Sequence, residues 1–197
     1  MTVLGSLFST AFLACLLQNL IFTGGYGADE ALRMAAKPRQ LFPLSIFIVY
    51  FSVLTPFSCA LLEKIPAVRA MGMYGHAVLY VAMLSLIYCI TTIFVLYVFK
   101  AKKRTVRRVG IAAFNTLVLA LPFITYRAAF GMVEAIGIGI GAGLAFVIAV
   151  LLMNAGLRAI SQNEHIPEAF KGTPAIFLYA ALLSLAFAGF TGRSLSL

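Results

Sequence analysis

Apolar residues run along this chain in long unbroken blocks. They show neither the period of two of a half-buried strand nor the one-sided stripe of a surface helix. Six such blocks lie at roughly 3–23, 41–62, 74–99, 110–128, 130–156 and 174–192. A helix needs about 20 residues to cross some 30 Å of hydrocarbon, so the pattern predicts an all-α integral membrane protein with six transmembrane helices. The first block has no charge and no Lys or Arg ahead of it. A secretory signal peptide has a basic start and a shorter apolar core, so this block is expected to stay as a span.

Composition agrees, with 62% of residues hydrophobic and 11% charged and a mean hydropathy of +1.03. A soluble domain is nearer half apolar and a quarter charged. Fifteen Lys+Arg against six Asp+Glu give a net charge of +9, which in a soluble protein would suggest a nucleic-acid face. Here no soluble face exists to carry one, and the basic residues read as membrane-flanking charge. Most follow the odd spans: Arg33, Lys37 and Arg39 after the first, Lys100, Lys102, Lys103, Arg104, Arg107 and Arg108 after the third, Arg158 and Lys171 after the fifth. Only Lys64, Arg69, Arg127 and Arg193 lie elsewhere. The positive-inside rule then makes the odd loops cytoplasmic and puts both termini outside. The 100–108 cluster either only sets this orientation or also meets anionic headgroups or an acidic partner.

This charge bias divides the chain into residues 1–99 and 100–197, two three-helix units of opposite orientation, as in inverted-repeat membrane proteins. Direct self-similarity is slender: Thr10, Leu13, Ala14 and Gly25 recur as Thr116, Leu119, Ala120 and Gly131 at an offset of 106.

Polar chemistry inside the blocks marks candidate sites. Span one holds Gln18-Asn19 and then Gly24, Gly25 and Gly27, followed by Asp29 and Glu30. Carboxamides in hydrocarbon must find partners, and the glycines weaken the helix, so a broken helix is expected there; the alternative is helix–helix glue followed by an ordinary helix end. Span four is the matching irregularity. Gly110 to Thr125 makes only about 24 Å of helix, Pro122 removes a ladder hydrogen bond, and Tyr126-Arg127 follow. Arg127 either snorkels to the surface or neutralises something internal, with Glu134 the obvious partner. In span five, Gly137, Gly139, Gly141 and Gly143 alternate, giving two small-residue rows, Ala135-Gly139-Gly143 and Gly137-Gly141-Ala145, for close packing of two neighbours. Asn154 reads as a packing hydrogen bond.

Cys15, Cys59 and Cys89 lie singly in three spans, without metal-ligand spacing, and read as small hydrophobes. His76 and His165 have no sequence neighbours that suggest a metal site or a catalytic pair. With no nucleophile–base motif and no phosphate loop, the chain is expected to be non-catalytic on its own.

The C-terminal portion, Pro167-Glu168-Ala169-Phe170-Lys171-Gly172-Thr173-Pro174-Ala175-Ile176 and then Leu183-Ser184-Leu185-Ala186-Phe187-Ala188-Gly189-Phe190-Thr191-Gly192, resembles the end of the RnfA/NqrE family. Gln18-Asn19 is similar to the paired asparagines of that family, and Leu121-Pro122-Phe123-Ile124-Thr125 to its Leu-Pro-Leu-Ile-Thr. The resemblance implies a six-span subunit of an ion-pumping electron-transport complex in the bacterial inner membrane, paired with an inverted RnfE/NqrD-like sister. It also implies a [2Fe-2S] cluster shared with that sister, held by cysteines just after the break in span one and in span four. Here those regions read Gly27-Ala28-Asp29-Glu30 and Thr125-Tyr126-Arg127-Ala128. Both thiols are missing, so no cofactor bound by this chain is expected. Broken helices still suit an ion path, with Gln18, Asn19, Gly24, Gly25, Asp29, Glu30, Thr125, Arg127 and Glu134 as its candidate residues. Two other readings stand beside this one: a non-redox small-solute or ion transporter or channel, working as a homodimer, and a structural subunit that docks others through the basic cluster.

Overall fold

The computed structural model describes residues 3–167 and 171–190. In hydrocarbon a backbone must satisfy its own N–H and C=O groups, which a helix does locally, and the apolar blocks accordingly fold as helices. These are α1 (Val3–Phe12), α2 (Leu20–Gly24), α3 (Ala28–Ala35), α4 (Leu41–Leu62), α5 (Pro66–Arg69), α6 (Met73–Tyr97), α7 (Lys103–Ala113), α8 (Thr116–Arg127), α9 (Met132–Gln162) and α10 (Thr173–Phe190). A π-helical turn, Leu13–Leu17, prolongs α1, and a 3-10 turn, Pro38–Gln40, leads into α4. No strand occurs among the described residues. Leu41–Leu62, Met73–Tyr97, Lys103–Arg127 and Met132–Gln162 are long and apolar enough to cross a membrane, while Val3–Leu17 and Pro174–Gly189 are apolar but shorter. The chain is thus an all-α, multi-pass membrane protein.

Helix α9 is the axis of the fold. Its 31 residues make a rod about 46 Å long, packed by α1, α3, α4, α8 and α10. The two small-residue rows explain how so many neighbours fit. A Cβ on Gly139 would strike the Ser52 carbonyl and Val53 of α4, and one on Gly143 would strike Val49; on the other row, Gly137 and Gly141 face Leu7, Thr10 and Ala11 of α1. Each row therefore seats one helix. The Ser52 carbonyl lies four residues before Pro56, which has no N–H to offer it. The bare Gly139 lets that oxygen approach the α9 backbone, where Cα–H contacts are available. Phe51, Ile48 and Leu44 of α4, Leu117, Val118 and Leu121 of α8, and Phe146 and Val150 of α9 fill the fully buried core. Helix α6 is peripheral, with 28% of its apolar window buried against 61% for α9.

The fourth block differs from its expected layout in two ways. Its helix begins at Lys103 rather than near 110, so Lys103 to Arg108 form helical turns instead of a loop. The helix then runs through Pro122 and breaks earlier, at Phe114–Asn115. An asparagine that caps a new helix interrupts the ladder more completely than a proline, whose ring costs one hydrogen bond. Glu168, Ala169 and Phe170 of the C-terminal resemblance, Thr191, Gly192 and the tail residue Arg193 lie outside the described residues.

Candidate functional site

Two helix breaks meet at the edge of the core, where Asn19, Gly27 and Asn115 are buried and Thr116 is exposed. In the first, the π-turn ends where the Gln18 N–H reaches the Leu13 carbonyl at 2.7 Å. Asn19 then caps α2: its side-chain oxygen accepts from the Ile21 N–H at 3.1 Å, while its amide donates to the Ala145 carbonyl of α9 at 3.4 Å. Asn19 is fully buried, and these bonds meet the requirement that a buried carboxamide be satisfied. Helix α2 ends at Gly25, φ +71°, with the Tyr26 N–H returning to the Leu20 carbonyl, a Schellman-type close that favours glycine. Gly27, φ +76°, opens α3.

The second break repeats the first. Asn115 is buried and caps α8, its side-chain oxygen accepting from the Leu117 N–H at 2.9 Å. The two caps stand 96 residues apart in sequence. The breaks touch directly, since the Gly27 N–H donates to the Thr116 hydroxyl at 2.7 Å. A Cβ on Gly27 would collide with the Asn115 side-chain oxygen and press on Leu117, so the contact needs glycine for space as well as for its backbone angle. Beside it, Gly25, Tyr26, Thr116, Leu119, Ala120 and Phe123 line an open depression.

The structure separates some residues that sequence grouped. Gln18 is exposed whereas Asn19 is buried. Gly24 and Gly25 lie at the surface of the first break, and Asp29 is exposed in the first turn of α3. Glu30 is buried and holds Arg33 through two bonds, 2.8 Å to Nε and 2.6 Å to an amino nitrogen. That pairing pushes the Arg33 pKa above its ordinary value. Thr125, also buried, donates to the Leu121 carbonyl at 2.8 Å. Arg127 and Glu134 form no ion pair with each other among the described residues. Arg127 is exposed in the last turn of α8 and Glu134 lies in the first turn of α9, so each complements the dipole of its own helix instead. Asn154 donates to the Ala35 carbonyl at 2.6 Å, tying α9 to α3.

A second polar cluster was not legible in the sequence. His76, which had no suggestive sequence neighbours, is 1% exposed and sits 3.1 Å from a carboxylate oxygen of Glu63. Tyr80, one turn further along α6, donates to the same oxygen at 2.7 Å. The Tyr126 ring lies over His76 at 4.4 Å between centroids. A cavity of about 20 Å³, lined in part by Glu63, Tyr80, Thr125 and Tyr126, has room for about one water-sized particle. The one available signal was the spacing of four between His76 and Tyr80, which puts both on one helix face. Nothing local tied Glu63 to them.

Asp29 and Ala128 offer a carboxylate and a methyl group where the resemblance implies thiolates, and iron–sulfur clusters are held by thiolates. The three cysteines are free: Cys15 in the π-turn, Cys59 buried in α4 and Cys89 exposed on α6. Among the described residues no group of three or more His, Cys, Asp or Glu is placed to hold a metal. At the two positions the resemblance points to, a carboxylate and a methyl group do not fit such a cluster.

No family model matches the chain. It is 36% identical over 81 residues to a component of the Na⁺-translocating ferredoxin:NAD⁺ oxidoreductase complex of Acetobacterium woodii, covering 41% of this chain and 42% of that protein. It is 41% identical over 78 residues to a component of the ion-translocating oxidoreductase complex of Colwellia psychrerythraea, covering 40% of each. A counterpart from the proton-translocating ferredoxin:NAD⁺ oxidoreductase complex of Clostridium ljungdahlii is 36% identical over 80 residues, 41% of each chain. The matched stretch spans about two fifths of the length of these relatives.

Proposed function

With membership of the RnfA/NqrE family supported by these relatives, we propose that the chain is a membrane subunit of an ion-translocating electron-transport complex in the bacterial inner membrane. It works beside an inverted sister protein and holds no iron–sulfur cluster of its own. The observation that carries this reading is the meeting of two asparagine-capped helix breaks at the Gly27–Thr116 bond. Matched breaks at the interface of two opposed halves are how membrane transporters place ion-handling backbone inside a bilayer. Their 96-residue separation supports two inverted three-helix units, in a register ten residues shorter than the sequence matches suggest. Loop charge supports odd loops in the cytoplasm and both termini outside.

In this reading the breaks line the ion path. Asp29 stands at its Gly27 end, and the cluster of Glu63, His76 and Tyr80 flanks the far end of α8. Glu30 and Arg33 neutralise one another beside the first break. With Asp29 and Ala128 in place of thiols, electrons pass through other subunits.

The test is purification in mild detergent from a host that also expresses the chain's native neighbours, followed by an absorbance spectrum and iron analysis. The expected result is co-purification with flavin- or cluster-bearing subunits, while the chain isolated from them is colourless and iron-free. A stable homo-oligomer that carries solute flux without any chromophore-bearing partner would replace this reading with a transporter. A brown, iron-containing isolated chain would overturn the absence of a cluster.

A further inference from the structure

The basic residues after span one and after span three converge on one pocket. Arg33 and Lys37 face Arg104, Arg107 and Arg108 across a cavity of about 250 Å³. Membrane orientation requires only that these charges share a side; it does not require two distant loops to aim them into one concavity. Arg33 is neutralised by Glu30, but the four remaining like charges around so small a space repel one another unless an anion sits among them.

The local helix chemistry points the same way. Helix α7 opens with Lys103 and Arg104, has no acidic residue in its first turn, and has no side-chain cap at Lys102. The N-terminus of a helix carries partial positive charge and unpaired N–H groups, so cations there cost stability and an anion gains it. Arg104, Arg107 and Arg108 lie at i, i+3 and i+4 on one face. Among the described residues, Lys37, Arg104, Arg107 and Arg108 have no ion pair, and Arg33 alone is partnered, by Glu30. Gln40 and Met34 also line the cavity. Just beyond the pocket α7 enters the core at Val109, Ala112 and Ala113, which sets the cavity at the boundary between buried helix and charged surface.

We propose that this pocket binds a phosphate group, supplied by the headgroup of an anionic phospholipid of the cytoplasmic leaflet. The phosphate bridges the two loops, neutralises the start of α7, and fixes the second broken helix against the first. Arginine forks suit phosphate oxygens, and basic pockets between membrane helices recur as headgroup sites. The choice of leaflet rests on the orientation proposed above; the phosphate chemistry does not.

The experiment uses the full chain in nanodiscs of phosphatidylcholine, with or without phosphatidylglycerol, and counts retained lipid by native mass spectrometry. Lys37→Gln and Lys103→Gln remove the same charge, but only Lys37 lines the pocket. Phosphatidylglycerol should be retained and should raise the thermal midpoint. Lys37→Gln should weaken retention about fivefold, Arg104→Gln with Arg107→Gln should weaken it further, and Lys103→Gln should weaken it far less than Lys37→Gln. Equal loss in Lys37→Gln and Lys103→Gln would reduce the pocket to diffuse surface charge and overturn the proposal. Stabilisation by inorganic phosphate without retention of the anionic lipid would overturn the lipid as source. A topology reporter placed at 100–102 reads orientation separately, so a failure there is distinct from a failure to bind.

Discussion

Asn19 does two jobs with one side chain, starting α2 and holding α9 through the Ala145 carbonyl. Asn19→Leu should therefore cost about 1–2 kcal/mol, read as a lower thermal midpoint in detergent. Gln18→Leu should change little, since that side chain is exposed. The sequence marked both carboxamides as polar groups that needed an explanation but had no means of ranking them. Which neighbour faces inward depends on where the π-turn inserts its extra residue, and that register is set by packing against α9. Glycines make the same point with opposite signs. Gly139→Val should destabilise by about 1–3 kcal/mol, because its Cβ has no space beside α4. Gly189→Ala, where a Cβ meets nothing, should be neutral or stabilising by up to ~1 kcal/mol. Chemical unfolding of the two variants would separate close approach from propensity.

Among the elements, the unbroken helices were the most legible. The apolar run at 41–62 coincides with α4, and 74–99 lies within two residues of α6, because uniform hydrophobicity over bilayer length leaves the backbone one solution. In the second half the interruption does not fall at the strongest local signal. Pro122 is the louder local signal, yet α8 absorbs it, and the interruption falls at Asn115, whose role depends on Leu117 and on contact with Gly27. Long-range contacts of this kind leave no periodicity to read. The Gly27–Thr116 bond gives a direct element-level prediction. Thr116→Val removes the acceptor of the part-buried Gly27 N–H and should cost about 0.5–1.5 kcal/mol, whereas Thr116→Ser should keep most of the stability. Hydrogen exchange at the Gly27 amide would report the bond itself.

For the whole molecule, the cluster of Glu63, His76 and Tyr80 is the chemistry that sequence order conceals. Its members come from the end of α4 and one face of α6, and Tyr126 of α8 completes it. Ionisable groups enclosed in this way mark ion and proton routes in membrane proteins. Glu63→Gln keeps an oxygen for the Tyr80 hydroxyl but removes the charge. In the ion-translocating complex proposed above, it should leave assembly intact while reducing translocation at least tenfold, measured in proteoliposomes. Unchanged translocation would remove the cluster from the path.

Helix α9 brings the surroundings into the account. A rod of about 46 Å cannot stand upright within a slab of about 30 Å without its ends emerging. It therefore leans, or lifts its Arg158–Gln162 end into the water. Because α1 and α4 are seated in its glycine rows, any change in lean is passed to both. Bilayer thickness thus acts on this protein as a mechanical load, and thinner or thicker lipids should shift the angle at which the central helix carries its neighbours.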